Sequence, residues 1–415
     1  MGDIRNDANL IIKTVINENL PQLSVKNVLN FKDFTKDIYV VAIGKAAWTM
    51  ANATSTYFGD KIKDGIVITK YDHSQGDIKG LKIYEAGHPT PDENTVLATK
   101  KVIEMVQNLG KEDEVIFLVS GGGSALFEAP KQGITLNDIV EITNILLSSG
   151  ASIVEINTIR KRLSQVKAGS FAKICEPAKV TSIVLSDVLG DRLDTIASGP
   201  AYADSTTAKE AEQIIEKYSL NLPHIAIKYI KEETPKSITN VTTHVTGSVR
   251  SLCNSAKAIA ESLGYNPYIL TTTLSCEAKE AGRFLANIAY DTKRGETHFK
   301  TPCAIIAGGE TVVKIIGNGK GGRNQELALS AAVGISELDN VLIFSLGSDG
   351  TDGPTNAAGG IVNGNTVKNL KLKNIDIHKY LQNNDSYHAL QALNDLIIIG
   401  PTGTNVNDVC VLLIR

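Results

Sequence analysis

Residues 120–124 read Ser-Gly-Gly-Gly-Ser directly after an apolar run. Consecutive glycines permit positive φ and let backbone N–H groups crowd around an anion, so Ser120, Gly121, Gly122, Gly123 and Ser124 are candidates for a phosphate or carboxylate cradle. A helix starting at Ser124 would add its free N–H groups and dipole. The plain alternative is a tight turn. Gly44-Lys45-Ala46-Ala47 also follows an apolar run. It lacks the four residues that a P-loop places between its glycines, yet Lys45 can present a point charge to a transferring phosphate. Its alternative is a solvated lysine.

Four further segments carry charge in the same manner. In 157–163, Asn157 reads as a helix N-cap, and Arg160 and Lys167 are seven apart, a spacing that shares a helix face. Arg160 and Arg162 suit a bidentate grip on a substrate carboxylate, against the alternative of a solvated basic face. In 186–191, Asp187 and Asp191 would orient a substrate hydroxyl or hold Mg²⁺, or serve as turn residues. Gly322, Arg323, Asn324 and Gln325 stand where a glycine-rich turn enters a helix, a second anion-facing start. Asp349 and Asp352, three apart in a glycine loop, suggest a metal or hydroxyl partner, although the loop lacks the twelfth-position Glu of an EF-hand. His88, between Gly87 and Pro89, reads first as a packed loop histidine and second as a site-lining one.

The elements that must position these residues follow from the apolar pattern. Runs at 38–43, 115–119, 183–185, 304–307, 341–346, 396–399 and 409–414 suit strands buried on both faces. Helical periodicity lies between them at 95–109, 136–147, 208–218, 256–263, 277–293 and 324–333. Strands alternating with helices predict an α/β fold with mainly parallel sheets, whose ligands sit beyond the carboxyl ends of the strands. The polar stretch 231–240, KEETPKSITN, is the best linker candidate. It divides the chain into domains at 1–235 and 236–415, and leaves open whether the run 409–414 returns to the first.

Composition narrows the classes. The 415 residues are 42% apolar and 21% charged, with a net charge of −3, an ordinary globular mix without the basic block of a nucleic-acid binder. No run approaches the ~18 apolar residues of a membrane span, and the polar N-terminus lacks a signal-peptide core. The five cysteines are dispersed and never form C-x-x-C, which argues against a disulfide framework or zinc site and for a reducing cytoplasm. No zincin pattern and no G-x-S-x-G elbow occurs.

In combination, the segments IGKAA (43–47), AGHPTPDENT (86–95), SGGGSAL (120–126), NTIRKRLSQVKAG (157–169), SDVLGDRLDTIASGP (186–200), GGRNQELAL (321–329) and GSDGTDGPTNAAGG (347–360) resemble the glycerate kinase family of the glycerate 2-kinase type, whose C-terminal part is called the MOFRL domain. The resemblance implies a larger Rossmann-like N-terminal domain, a smaller α/β domain and an active site in the interdomain cleft. It implies ATP- and Mg²⁺-dependent phosphorylation of D-glycerate at the 2-hydroxyl. The family's active-site lysine falls on Lys45 and its GGRNQE arginine on Arg323. Small-molecule substrate and nucleotide are then the expected partners, with no nucleic acid or membrane, in a monomer or small homo-oligomer. The competing reading is a hydroxypyruvate or tartronate reductase. Neither glycine turn has the G-x-G-x-x-G spacing expected of such a hydride enzyme.

Overall fold

The computed structural model describes residues 3–30, 34, 37–190 and 192–415. They form two compact units, Pro21–Thr246, and Met1–Leu20 together with Gly247–Arg415.

The first unit is built on a six-stranded sheet in the order β3-β2-β1-β4-β5-β6. Its strands are β1 (Asp37–Ile43), β2 (Ile62–Lys70), β3 (Lys82–Ala86), β4 (Asp113–Val119), β5 (Lys179–Leu185) and β6 (Val241–Gly247). Every pairing from β3 to β5 is parallel. Val41, Ile43, Phe117, Val119 and Val184 enter one core with Phe127 and Phe171. The chain lays β2 and β3 on one side of β1 and then places β4 on the other. This is the doubly wound order, and its topological switch lies between β1 and β4.

Four helices of the same unit, Leu136–Ser148, Ile153–Leu163, Ala208–Lys217 and His224–Ile230, contribute to a separate core around Ile139, Leu146, Ile159, Ile214 and Ile230. The second of them starts five residues earlier than Asn157 suggests, because Ser152 and Glu155 form a reciprocal capping box. Asn157 is therefore mid-helix. The helix ends at Leu163, so Lys167 lies beyond it and shares no helical face with Arg160.

The stretch 231–240 is not a free linker. Thr234 Oγ1 donates to buried Asp204 Oδ2 at 2.8 Å, and Glu233 Oε1 accepts the Ala208 N–H at 2.9 Å. Its polar residues satisfy charges buried inside the helical cluster, so the chain leaves the first unit only after β6.

The second unit holds another six-stranded sheet, ordered β11-β10-β9-β12-β8-β7. These are β7 (Asn266–Leu274), β8 (Cys303–Gly309), β9 (Val341–Gly347), β10 (Gly359–Asn363), β11 (Leu396–Ile397) and β12 (Asp408–Ile414). Only β7 and β8 pair in parallel; β12 runs antiparallel to both β8 and β9. The mainly parallel pattern belongs to the first sheet; in the second, β9 and β10 are joined without a helical crossover and pair antiparallel. Parallel neighbours need such a crossover. The run 409–414 thus closes the centre of the second sheet and does not return to the first. The first helix, Ile4–Glu18, also joins this unit: Tyr265 donates to Asp7 Oδ2 at 2.6 Å, and Arg5 pairs with Asp395 at 2.7 Å. Among the described residues no helix is long and apolar enough to cross a membrane.

Candidate active site

In the first unit the loops leaving β1 and β4 are bonded to each other at the switch point. The Lys45 N–H donates to Gly121 O at 2.9 Å, and the Ala46 N–H donates to Ser120 Oγ at 3.0 Å. Gly44 has φ +110°, and a Cβ there would collide with Ser120. Glycine is required because the two turns touch. Ser120 is buried and its hydroxyl also donates to Ile43 O at 3.2 Å. It braces the turns, and its own N–H is spent on Ile43 O at 3.0 Å, so it adds no free amide to the cradle expected of 120–124.

Gly122 is left-handed (φ +87°), and a Cβ on it would meet the His88 ring at 3.0 Å and Lys45 Cγ at 3.3 Å. A Cβ on Gly121 would collide with the Asp187 carboxylate. The ends of β1, β3, β4 and β5 thereby bring Lys45, His88, Gly121 to Ser124 and Asp187 together. His88 is a member of this group and not merely a packed loop residue. Burial first, then the charges of Lys45, Lys70 and His73, push its pKa below the ordinary histidine value. His73, which the sequence did not single out, has Nδ1 3.2 Å from Lys45 O. Asp191 lies outside the described residues.

The helix after the glycines begins at Gly123 and lasts only to Leu126. One turn carries little macrodipole, so the expected helix contribution is small. The anion-binding capacity lies in the amides: among the described residues, the N–H groups of Gly121 to Ser124 donate to nothing else in the chain. Lys45 likewise makes no ion pair among the described residues. Lys167, fully buried, props this turn from within, donating to Ser124 O at 2.7 Å and pairing with Glu128 at 2.8 Å.

The two arginines of the 153–163 helix diverge. Arg162 is 0% exposed; it donates to Thr158 O at 2.8 Å and Thr206 O at 2.9 Å and lies 3.7 Å from Asp204. Burial pulls its pKa down, and Asp204 opposes that. Buried inside the helical cluster, it is not placed to grip a substrate carboxylate. Arg160 is half-buried and, among the described residues, its guanidinium has no hydrogen-bond partner. It is close enough for its charge to depress Lys167 further.

In the second unit the antiparallel register puts Asp408, first residue of β12, opposite both Gly309 and Gly347. Arg323 opens the helix Arg323–Gly334 and reaches this point: its Nε donates to Asp408 Oδ2 at 2.6 Å, Nη2 to Asp408 Oδ1 at 3.1 Å and Nη1 to Glu310 Oε1 at 2.6 Å. Burial disfavours the guanidinium charge, but the two carboxylates outweigh it and raise its pKa above the usual value. Burial likewise pushes Asp408 up to about 6 against the pull of Arg323. Sequence reasoning missed Asp408; the signal was an acidic residue opening the last apolar run.

The start of that helix is not free for an external anion. Asp352 occupies it, accepting the Asn324 N–H at 3.2 Å and the Gln325 N–H at 2.9 Å. Gly322 must lack a Cβ because the Asp352 carboxyl lies against it, so its glycine serves the cap. Asn324 and Gln325 are buried and face Ser345, Asp352 and Thr355, so they shape the loop and do not line a substrate surface. Burial pushes Asp352 up to about 7. A carboxylate committed to two amides does not fit a metal ligand, and no cluster of three or more His, Cys, Asp or Glu side chains placed to hold a metal occurs among the described residues. Asp349 remains at the rim of a cavity of about 680 Å³ that Arg323 also lines.

Comparison with known proteins matches residues 7–231 to the domain of unknown function DUF4147 and residues 303–408 to the MOFRL family. The D-glycerate 2-kinase of Thermotoga maritima is 52% identical, covering 97% of each chain. The glycerate 2-kinase of Pyrococcus horikoshii is 43% identical over 91% of this chain and 87% of its own. The crystal structure of the Thermotoga maritima glycerate kinase superposes with a TM-score of 0.95, covering 99% of each chain.

Proposed function

The chain belongs to the glycerate kinase family of the glycerate 2-kinase type, and on that premise we propose that it transfers the γ-phosphoryl group of ATP to the 2-hydroxyl of D-glycerate, releasing 2-phosphoglycerate and ADP. The observation that carries the site assignment lies at the switch point: Lys45, which makes no ion pair among the described residues, stands beside the amides of Gly121 to Ser124, which donate to nothing else among them. Amides and a cation without a protein anion are what a phosphoryl group needs.

Phosphoryl transfer asks a protein chiefly for position and charge stabilisation. Lys45 and the glycine amides hold phosphoryl oxygens. Arg323 adds charge stabilisation to the same transfer. Asp187 orients the glycerate hydroxyl, a role shared in this proposal with Asp191. Arg160 takes the glycerate carboxylate. Mg²⁺ would arrive with the nucleotide, held mainly by phosphates and water, with Asp349, Asp187 or Asp191 as candidate carboxylates, and would neutralise phosphate charge. The five cysteines are all unpaired, in keeping with a cytoplasmic setting.

The purified chain is incubated with D-glycerate and Mg·ATP and the product read by phosphorus NMR. A 2-phosphoglycerate resonance is expected. No ATP consumption, together with a nicotinamide absorbance change on hydroxypyruvate, overturns the proposal in favour of a reductase.

A further inference from the structure

The cavity of about 680 Å³ lies wholly within the second unit and is far larger than a three-carbon acid needs. Its volume falls in the range of pockets that enclose a nucleotide-sized ligand. Its two sides differ in chemistry. One is apolar, supplied by Val312, Val313 and Ile315 from the segment after β8. Val312 is 57% exposed and Ile315 78% exposed, a large apolar surface for a loop that nothing in the fold requires to be apolar. The other side carries Arg323 and Glu326, both from the helix Arg323–Gly334.

Glu326 is buried, and Asn384 donates to its Oε2 at 3.0 Å. Asn384 also accepts the N–H groups of Ile316 at 2.8 Å and Gly317 at 3.0 Å. One side chain thus fixes the carboxyl and the apolar loop relative to each other, which is a preformed slot. Burial raises the Glu326 pKa above the ordinary carboxyl value.

We propose that this cavity holds the purine nucleoside of the nucleotide, with the base on Val312, Val313 and Ile315, its exocyclic amine donating to Glu326, and the phosphates led out past Arg323. The assignment rests on the kinase reading for the identity of the nucleotide. It goes further in placing the base in the second unit.

Ile315→Asp and Val312→Asp change exposed positions and leave the core intact; Glu326→Gln keeps the shape of the slot. Steady-state kinetics should show the ATP KM rising about tenfold in each, while the glycerate KM holds. Calorimetric titration should show ADP binding weakened by a similar factor and inorganic tripolyphosphate binding unchanged. Wild-type ATP KM and ADP affinity in variants with native circular dichroism overturn the proposal, as does a glycerate KM that moves in place of the ATP KM. If the wild-type chain phosphorylates no glycerate yet the variants still lose ADP affinity, the cavity assignment stands and the kinase reading falls.

Discussion

Lys45 and Arg323 are assigned to one reaction but live in opposite surroundings. Lys45 sits on a half-buried turn between glycine amides, without an ion pair among the described residues. Arg323 is held by three hydrogen bonds to Asp408 and Glu310. A lone cation is available to any anion that arrives and is positioned only by its backbone. A clamped guanidinium has its direction fixed in advance, and its charge is partly spent on buried carboxylates. The same contrast recurs two residues apart on one helix. Arg162 serves the fold, its two terminal nitrogens bound to Thr158 and Thr206 beside Asp204 and only Nε left over, whereas Arg160 has no hydrogen-bond partner among the described residues.

The largest expected effects set the two cations against each other. Lys45→Ala should lower kcat by about 10²–10⁴-fold with the unfolding midpoint unchanged, because no protein partner is left behind. Arg323→Ala should lower kcat by a similar factor and also destabilise the chain by about 2–4 kcal/mol, since it strands buried Asp408. Denaturant titration beside the kinetics separates the two. Equal stability losses, or near-normal turnover in either variant, would break the comparison.

Arg162→Ala should destabilise the first unit by about 1–3 kcal/mol, because the Thr158 and Thr206 carbonyls lose their buried donor while Asp204 keeps Lys161 at 3.3 Å. Arg160→Ala should leave stability within about 0.5 kcal/mol and raise the glycerate KM. A stability loss in Arg160→Ala as large as that in Arg162→Ala would erase the division of labour.

A smaller effect concerns pH. Burial raises the Asp352 carboxyl from 3.8 to about 7 in the folded chain. A raised carboxyl stabilises the folded state fully below its unfolded pKa, and that contribution is lost as pH rises through the folded value. Thermal unfolding followed between about pH 5 and pH 8 should show the midpoint falling with pH, more steeply in the wild type than in Asp352→Asn. Parallel slopes would mean that the two helix amides hold Asp352 ionised throughout. The smallest effect belongs to Glu310→Gln: an exposed partner contributes at most about 1 kcal/mol, so stability should hold while Arg323 loosens and kcat shifts only a few-fold.

Much of the architecture was legible because it is local. Short apolar runs such as 115–119 and 341–346, the second broken only by Ser345, read as buried strands in an α/β chain, and both are strands. The glycine turns after them mark strand ends, and the strand ends carry the candidate site residues. What failed were inferences that needed a partner. Asn157 has the residue type of a cap, but the S-x-x-E pair of Ser152, five residues upstream, and Glu155 sets the helix start. Asn324, Gln325 and Asp352 looked like ligand contacts because their residue types suit ligands, but they satisfy one another.

The sequence by itself determined which residues can carry charge, where the backbone can turn sharply and which runs must be buried, since these depend on side-chain type and nearest neighbours. Only tertiary structure decided which charges are used up inside the protein. Whether Arg160 or Arg162 is bound to protein partners, and that Asp408 at residue 408 clamps Arg323 from across a sheet, depends on groups 44 and 85 positions away along the chain. Long-range neutralisation of a buried charge leaves no local pattern to read.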